Sequence, residues 1–180
     1  MSFTIVDLGV TRIKTTVTRE TSDINRLVKT FLSNNRNRKK IIGLDTERAR
    51  QGIRETKTVL LQLCDGDNCL MVQLPSNDLN LPLSLFNFLN FPDFTFVGIS
   101  INKSLNMLYS EFGLTCKNVV EIGRPTPDLM TDEMADIIQK AQTSTVLNDW
   151  SSWDLNKNQI KLAVSNAYLA FGMGNILLAY

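Results

Sequence analysis

Asp45 and Glu47 close the run Ile41-Ile42-Gly43-Leu44-Asp45-Thr46-Glu47. Side chains alternate along an extended chain, so acids two apart project from one face. The apolar residues before them suit a strand buried on both sides. A hard divalent cation takes oxygen ligands held in this way and removes the repulsion between them. A plainer reading is equally open: the strand ends here and its acids meet water, because D-x-E triplets are common. The chain contains no histidine to act as a general base or zinc ligand. Cys64, Cys69 and Cys116 form no C-x-x-C pair. They read as buried, reduced thiols, which fits a cytoplasmic or nuclear address.

The elements that must position the acids come from a chain of 180 residues, 43% of them hydrophobic. That length and composition predict one soluble domain over residues 1–180 with a real core. Lys and Arg number 19 against 18 Asp and Glu, a formal charge of +1, so no global field draws in a polyanion. Any grip on nucleic acid must be local. The run Ser33 to Lys40 carries Arg36, Arg38, Lys39 and Lys40 immediately before the acidic strand. It is either a solvated loop or a phosphate-backbone contact. The N-terminal stretch lacks a long apolar run, so no signal peptide, transit peptide or membrane span is expected.

Phe3 to Val6 and Arg12 to Arg19 read as two short strands pairing as an edge hairpin. Thr21-Ser22-Asp23 offers an N-cap for a helix with Ile24, Leu27, Val28, Phe31 and Leu32 at helical spacing. Arg48 to Lys57 has no apolar rhythm and reads as an exposed connection. Thr58 to Cys64 and Cys69 to Leu74 flank Asp65-Gly66-Asp67-Asn68, the clearest hairpin of the sequence. A short helix over Leu83 to Leu89, a strand over Thr95 to Ile99, a helix from about Asn102 to Phe112 stopped by Gly113, and a strand over Asn118 to Ile122 follow. Thr131 to Ala141 reads as a modest helix. Asn156 and Gln159 form a capping box for a long last helix, in which Gly172-Met173-Gly174 is read as close packing. The order predicts an α/β fold, a mixed sheet of about five to six strands flanked by helices.

The motifs in this order resemble the Werner-type 3′-5′ exonucleases. They are Gly43-Leu44-Asp45-Thr46-Glu47, Leu60 to Cys64 with Cys69 to Leu74, Phe96-Val97-Gly98-Ile99 leading to Leu105 and Leu108, Trp153-Asp154, Gln159-Ile160 and Ala167-Tyr168. The resemblance covers roughly residues 24 to 178 and is nearest to the small, single-domain plant members. It implies a ribonuclease H-like fold shared with RNase D and DnaQ-like proofreading exonucleases, two divalent metals, Mg²⁺ or Mn²⁺, and removal of nucleotides from a 3′ end.

In that family the first aspartate bridges both ions and the nearby glutamate helps hold the metal carrying the water, positions that Asp45 and Glu47 fill. The ions of such sites lie about 3.5–4 Å apart, and four carboxylates normally offset their charge. The remaining acid positions fall on Ser104 and Asn166, and the water-orienting tyrosine on Leu162. The resemblance therefore implies a degenerate site: two carboxylates against +4, with a single cation on Asp45 and Glu47 as the most it holds. Two functions follow. One is a 3′-5′ exonuclease-like domain of weak or lost activity on RNA or single-stranded DNA 3′ ends, with Arg36, Arg38, Lys39, Lys40, Arg48, Arg50 and Arg54 on phosphates. The other is a non-catalytic nucleic-acid-binding or structural subunit in a homo- or hetero-oligomer with an active relative. Asp128, Asp149 and Asp154 are the acids that a different alignment would bring in. Trp150 and Trp153 either anchor their loop in the core or stack on bases.

Overall fold

The computed structural model describes residues 2–53, 55–75, 81–124, 132, 135, 136 and 149–178. In chain order the elements are β1 (Thr4–Asp7), β2 (Arg12–Thr18), α1 (Thr21–Ser33), β3 (Ile41–Gln51), β4 (Glu55–Cys64) and β5 (Asn68–Gln73). They continue with α2 (Leu83–Leu89), β6 (Thr95–Ile99), α3 (Asn102–Phe112), β7 (Val119–Ile122) and α4 (Lys157–Leu177). The strands form one mixed sheet of seven in the order β1-β2-β5-β4-β3-β6-β7. The sheet exceeds the expected five to six strands because the β1-β2 hairpin joins it, β2 running parallel to β5. Of the expected helix over Thr131 to Ala141, most residues lie outside the described ones.

Period-two alternation assigns the two faces of the sheet. Ile42, Leu44, Leu61, Leu63, Leu70 and Val72 turn to a core shared with α1, α2 and α3. Phe88 of α2 stacks on Phe31 and meets Phe94 and Phe96 edge-on there. Each such ring, fully buried, contributes about 1.5–3 kcal/mol relative to exposure. The opposite face carries Leu60, Cys64, Cys69 and Met71 against Ala163, Val164 and Ala167 of α4. Cys64 and Cys69 are buried free thiols and Cys116 is a half-buried one.

Local signals act largely as their chemistry dictates. The Asn156 carboxamide accepts from the Gln159 N–H while the Gln159 side chain accepts from the Asn156 N–H, the expected capping box. Gly113 ends α3 at φ 70°, a left-handed conformation that a residue with a Cβ rarely adopts. At α1 the expectation needs correcting: the helix already begins at Thr21, and no side chain caps it at Glu20. Thr18 takes that part, its hydroxyl accepting from the Glu20 N–H at 2.9 Å and donating to Asp23 at 2.7 Å.

Residues 48 to 57 also differ from expectation. Instead of an exposed connection they extend β3 and β4 into a hairpin arm, paired from Arg48-Thr58 to Gln51-Glu55 beyond a bulge after Glu47. Backbone pairing and a bracket to α3, which apolar patterning does not report, hold the arm. Arg48 donates to Glu111 at 2.9 Å and to the Thr56 carbonyl at 2.7 Å, while the other Glu111 oxygen accepts from the Thr58 N–H at 2.7 Å.

Candidate functional site

Asp45 and Glu47 lie inside β3 rather than at its tip, since the strand continues to Gln51. What opens is its side. β6 pairs with β3 only from Ile41-Thr95 to Gly43-Val97, so past Gly43 the strand has β4 as its single strand neighbour among the described residues. Gly43 shares the parity of both acids and lies directly under α4, where a Cβ would overlap the Ala167 carbonyl oxygen. Glycine at 43 therefore sets how closely α4 crosses the strand, and both acids project toward that helix. Gly174 does the same farther along, its hypothetical Cβ 2.9 Å from Val97, as the close-packing reading of Gly172-Met173-Gly174 anticipated.

The partners of the acids come from β4 and α4. Gln62 stands directly across from Asp45. Its Nε2 donates to the Ala163 carbonyl at 3.4 Å and reaches Glu47 at 3.5 Å. Its Oε1 is buried without a donor among the described residues. Asn166 turns its amide to Glu47. Burial pushes the Asp45 carboxyl up to about 7, partly offset by the Thr46 N–H. Burial, followed by the negative charge of Asp45, pushes Glu47 up to about 8 against the opposing pull of the Gln62 and Asn166 amides. The site is thus a pair of proton-holding carboxyls near neutral pH, flanked by two amides.

Leu162 is half-buried one helical turn before Asn166, where a hydrocarbon chain offers nothing to water. Ser104 lies half-buried in the first turn of α3, whose Leu105, Leu108 and Phe112 pack on the other face of the sheet. Among the described residues, no three or more His, Cys, Asp or Glu side chains gather to hold a metal ion. The donor set does not fit a pair of divalent cations: two carboxylates face +4, and the neighbouring amides are neutral. Asp128 lies outside the described residues. Asp149 bonds the Ser151 N–H at 3.2 Å, in a loop that Gln73 ties to β5, two strands from β3.

The basic residues do not form one surface with the acids. Arg36 is exposed beside Asp67 at 3.6 Å, and Arg38, Lys40 and Arg50 are exposed. Lys39 donates to the carbonyls of Asn175 at 2.6 Å and Leu178 at 3.2 Å, so its charge sits on the C-terminal end of α4. Lys40 is five residues before Asp45, roughly 16 Å along the strand. Arg48 is committed to the Glu111 bracket, and Arg54 lies outside the described residues. Trp150 packs against the core and Trp153 is exposed. Gln62 belongs to the strand motif Leu60 to Cys64, and only the β3-β4 register places it across from Asp45.

No family model matches the chain, and no curated protein does. Solved structures do match. The Aedes aegypti Nibbler EXO domain superposes with a TM-score of 0.68 at 12% identity, covering 91% of this chain and 86% of that one. Escherichia coli RNase D, described as an exoribonuclease involved in structured RNA processing, gives 0.64 at 16% identity over 89% of this chain. This chain spans 43% of RNase D. The EXD2 exonuclease domain soaked in Mg and GMP gives 0.51 at 18% identity, covering 92% of this chain and 90% of that one. Among the described residues, no helix is long and apolar enough to cross a membrane.

Proposed function

From a DnaQ-like 3′-5′ exonuclease fold, we propose a 3′-5′ exonuclease-like nucleic-acid-processing domain that engages RNA or single-stranded DNA 3′ ends and has weak or no hydrolytic power of its own. One observation carries the reading: beside Glu47, where a third carboxylate would complete a cation cradle, stands the neutral amide of Asn166. Asp45 and Glu47 can hold one Mg²⁺ or Mn²⁺ at most, and only after giving up the protons that burial favours. The fold, and a relative's structure soaked with Mg and GMP, support a nucleotide-bearing ligand.

The test is a gel assay on end-labelled RNA and DNA with Mg²⁺ or Mn²⁺, run beside Asp45→Ala, with binding followed separately. Binding with little or no shortening is expected. Vigorous 3′ shortening that Asp45→Ala abolishes would make the chain a working nuclease; shortening that survives the substitution is contamination. If neither polymer binds, the nucleic-acid reading falls and a structural subunit beside an active relative is what remains.

A further inference from the structure

Trp153 leaves 63% of its surface exposed, although its loop is held at both ends. The Gln73 Nε2 donates to the carbonyls of Ser152 at 3.3 Å and Trp153 at 3.2 Å, and the Gln159 Nε2 donates to the Asp149 carbonyl at 3.2 Å. The Arg19 guanidinium lies against the indole. A braced loop that packs one indole, Trp150, and presents the other to water forgoes the burial that such a ring ordinarily gains.

Strand register relates this ring to the acids. Glu47 pairs with Leu60, Leu60 with Gln73, and Thr18 with Val72, which puts Arg19 next in the same row across the sheet. Glu47, Leu60, Gln73 and Arg19 lie on the α4 face, as the neighbouring Met71 and Val17 mark. Three strand spacings separate Glu47 from Arg19, roughly 14 Å. A single strand covers that distance with about four stacked nucleotides at roughly 3.4 Å each, and with fewer when drawn out.

We infer that Trp153 is a stacking platform for one base of a single-stranded RNA or DNA whose 3′ end lies at Asp45 and Glu47. The inference rests on the reading of those acids as a strand-end site. Glu20 and Asp154 offset the charge of Arg19, so the ring and not the cation is the anchor. A π-face accepts any base, and this contribution is insensitive to salt. Lys157 and Lys161 are exposed on the first turns of α4.

The experiment is fluorescence anisotropy of the full chain with a 5′-labelled oligonucleotide of about twelve residues, without divalent metal. Trp153→Ala weakens binding by about five- to hundredfold and Trp153→Phe by far less, because a smaller ring still stacks. Oligonucleotides carrying one abasic site at successive positions near the 3′ end locate the stacked base. At one position the wild-type protein loses as much affinity as Trp153→Ala does, and that penalty vanishes in the variant. Unchanged affinity in Trp153→Ala, or abasic penalties identical in both proteins, overturns the platform while leaving the strand-end reading standing. A wild-type chain that binds no oligonucleotide removes both.

Discussion

Asp65 and the Asp45-Glu47 pair are acids drawn into the same fold on opposite terms. Asp65 is 1% exposed, yet its oxygens are filled. Oδ1 accepts the backbone N–H groups of Asp67 at 3.0 Å and Asn68 at 2.7 Å, and Oδ2 accepts the amides of Asn34 at 2.8 Å and Asn68 at 3.2 Å. Among the described residues, Glu47 has only the long contact from Gln62 and the nearby Asn166, and Asp45 the Thr46 N–H. A buried carboxylate that builds structure is saturated with donors, here tying the β4-β5 turn to the end of α1. One left short of donors costs stability, and it is the one positioned to exchange its proton for something else.

The largest expected effect separates the two directly. Asp65→Asn turns an amide toward the N–H donors that now meet an anion, and removes a charge that four donors were arranged to receive. A loss of about 3 kcal/mol is expected, or roughly 6–12 °C in a thermal melt of a chain this size. A melt within about a degree of wild type would show that the hydrogen-bonded turn does not depend on this acid.

The second effect has the opposite sign and depends on pH. Asp45 and Glu47 are raised from ordinary values of 3.8 and 4.5 to about 7 and about 8. The folded state therefore holds their protons more tightly than the unfolded chain. The stabilisation this gives is complete below about pH 4 and is lost as pH rises through the folded values near 7 and 8. Asp45→Asn with Glu47→Gln should be neutral at pH 4 and more stable than wild type near pH 8.5 by on the order of 2 kcal/mol, discounted for their partial exposure. Melts from pH 4 to 8.5 measure it. Equal pH profiles for the two proteins would show that the fold holds the protons of Asp45 and Glu47 no more tightly than the unfolded chain does.

The contrast also explains what the sequence discloses. Asp65-Gly66-Asp67-Asn68 is legible as a turn because its bonds close within three residues, and the Asn156-Gln159 box is legible for the same reason. The common direction of Asp45 and Glu47 follows from strand periodicity alone. What surrounds them does not: Gln62 arrives by cross-strand register and Asn166 from a helix more than a hundred residues later. Charged side chains are the least legible of all. Arg48 and Lys39 look alike as phosphate ligands in the sequence, but one finds Glu111 and the other the last carbonyls of α4. The arm of residues 48 to 57 hid in the same way, because backbone pairing and one ion pair hold it without an apolar stripe.

The smallest effect tests whether Asn166 is the missing acid. Asn166→Asp places a third carboxylate against Glu47 and removes one of the two amides that favour its ionised form. Without metal near pH 8 the added repulsion should cost about 1 kcal/mol, or roughly 2–4 °C. Mn²⁺ should then reverse the sign, because a cation that binds only the folded chain adds about 1.4 kcal/mol for every tenfold gain of free ion over its dissociation constant. The variant should therefore gain more from Mn²⁺ than wild type does, and adding Ser104→Asp and Leu162→Tyr should raise cleavage of a labelled strand. Position 166 is a good probe because its backbone is already fixed by the approach of α4 over Gly43, so the exchange changes charge and leaves the helix where it is. If Mn²⁺ raises the melting temperature of Asn166→Asp no more than that of wild type, the space beside Glu47 is not a cation cradle, and the shortage of donors around the two acids needs another cause.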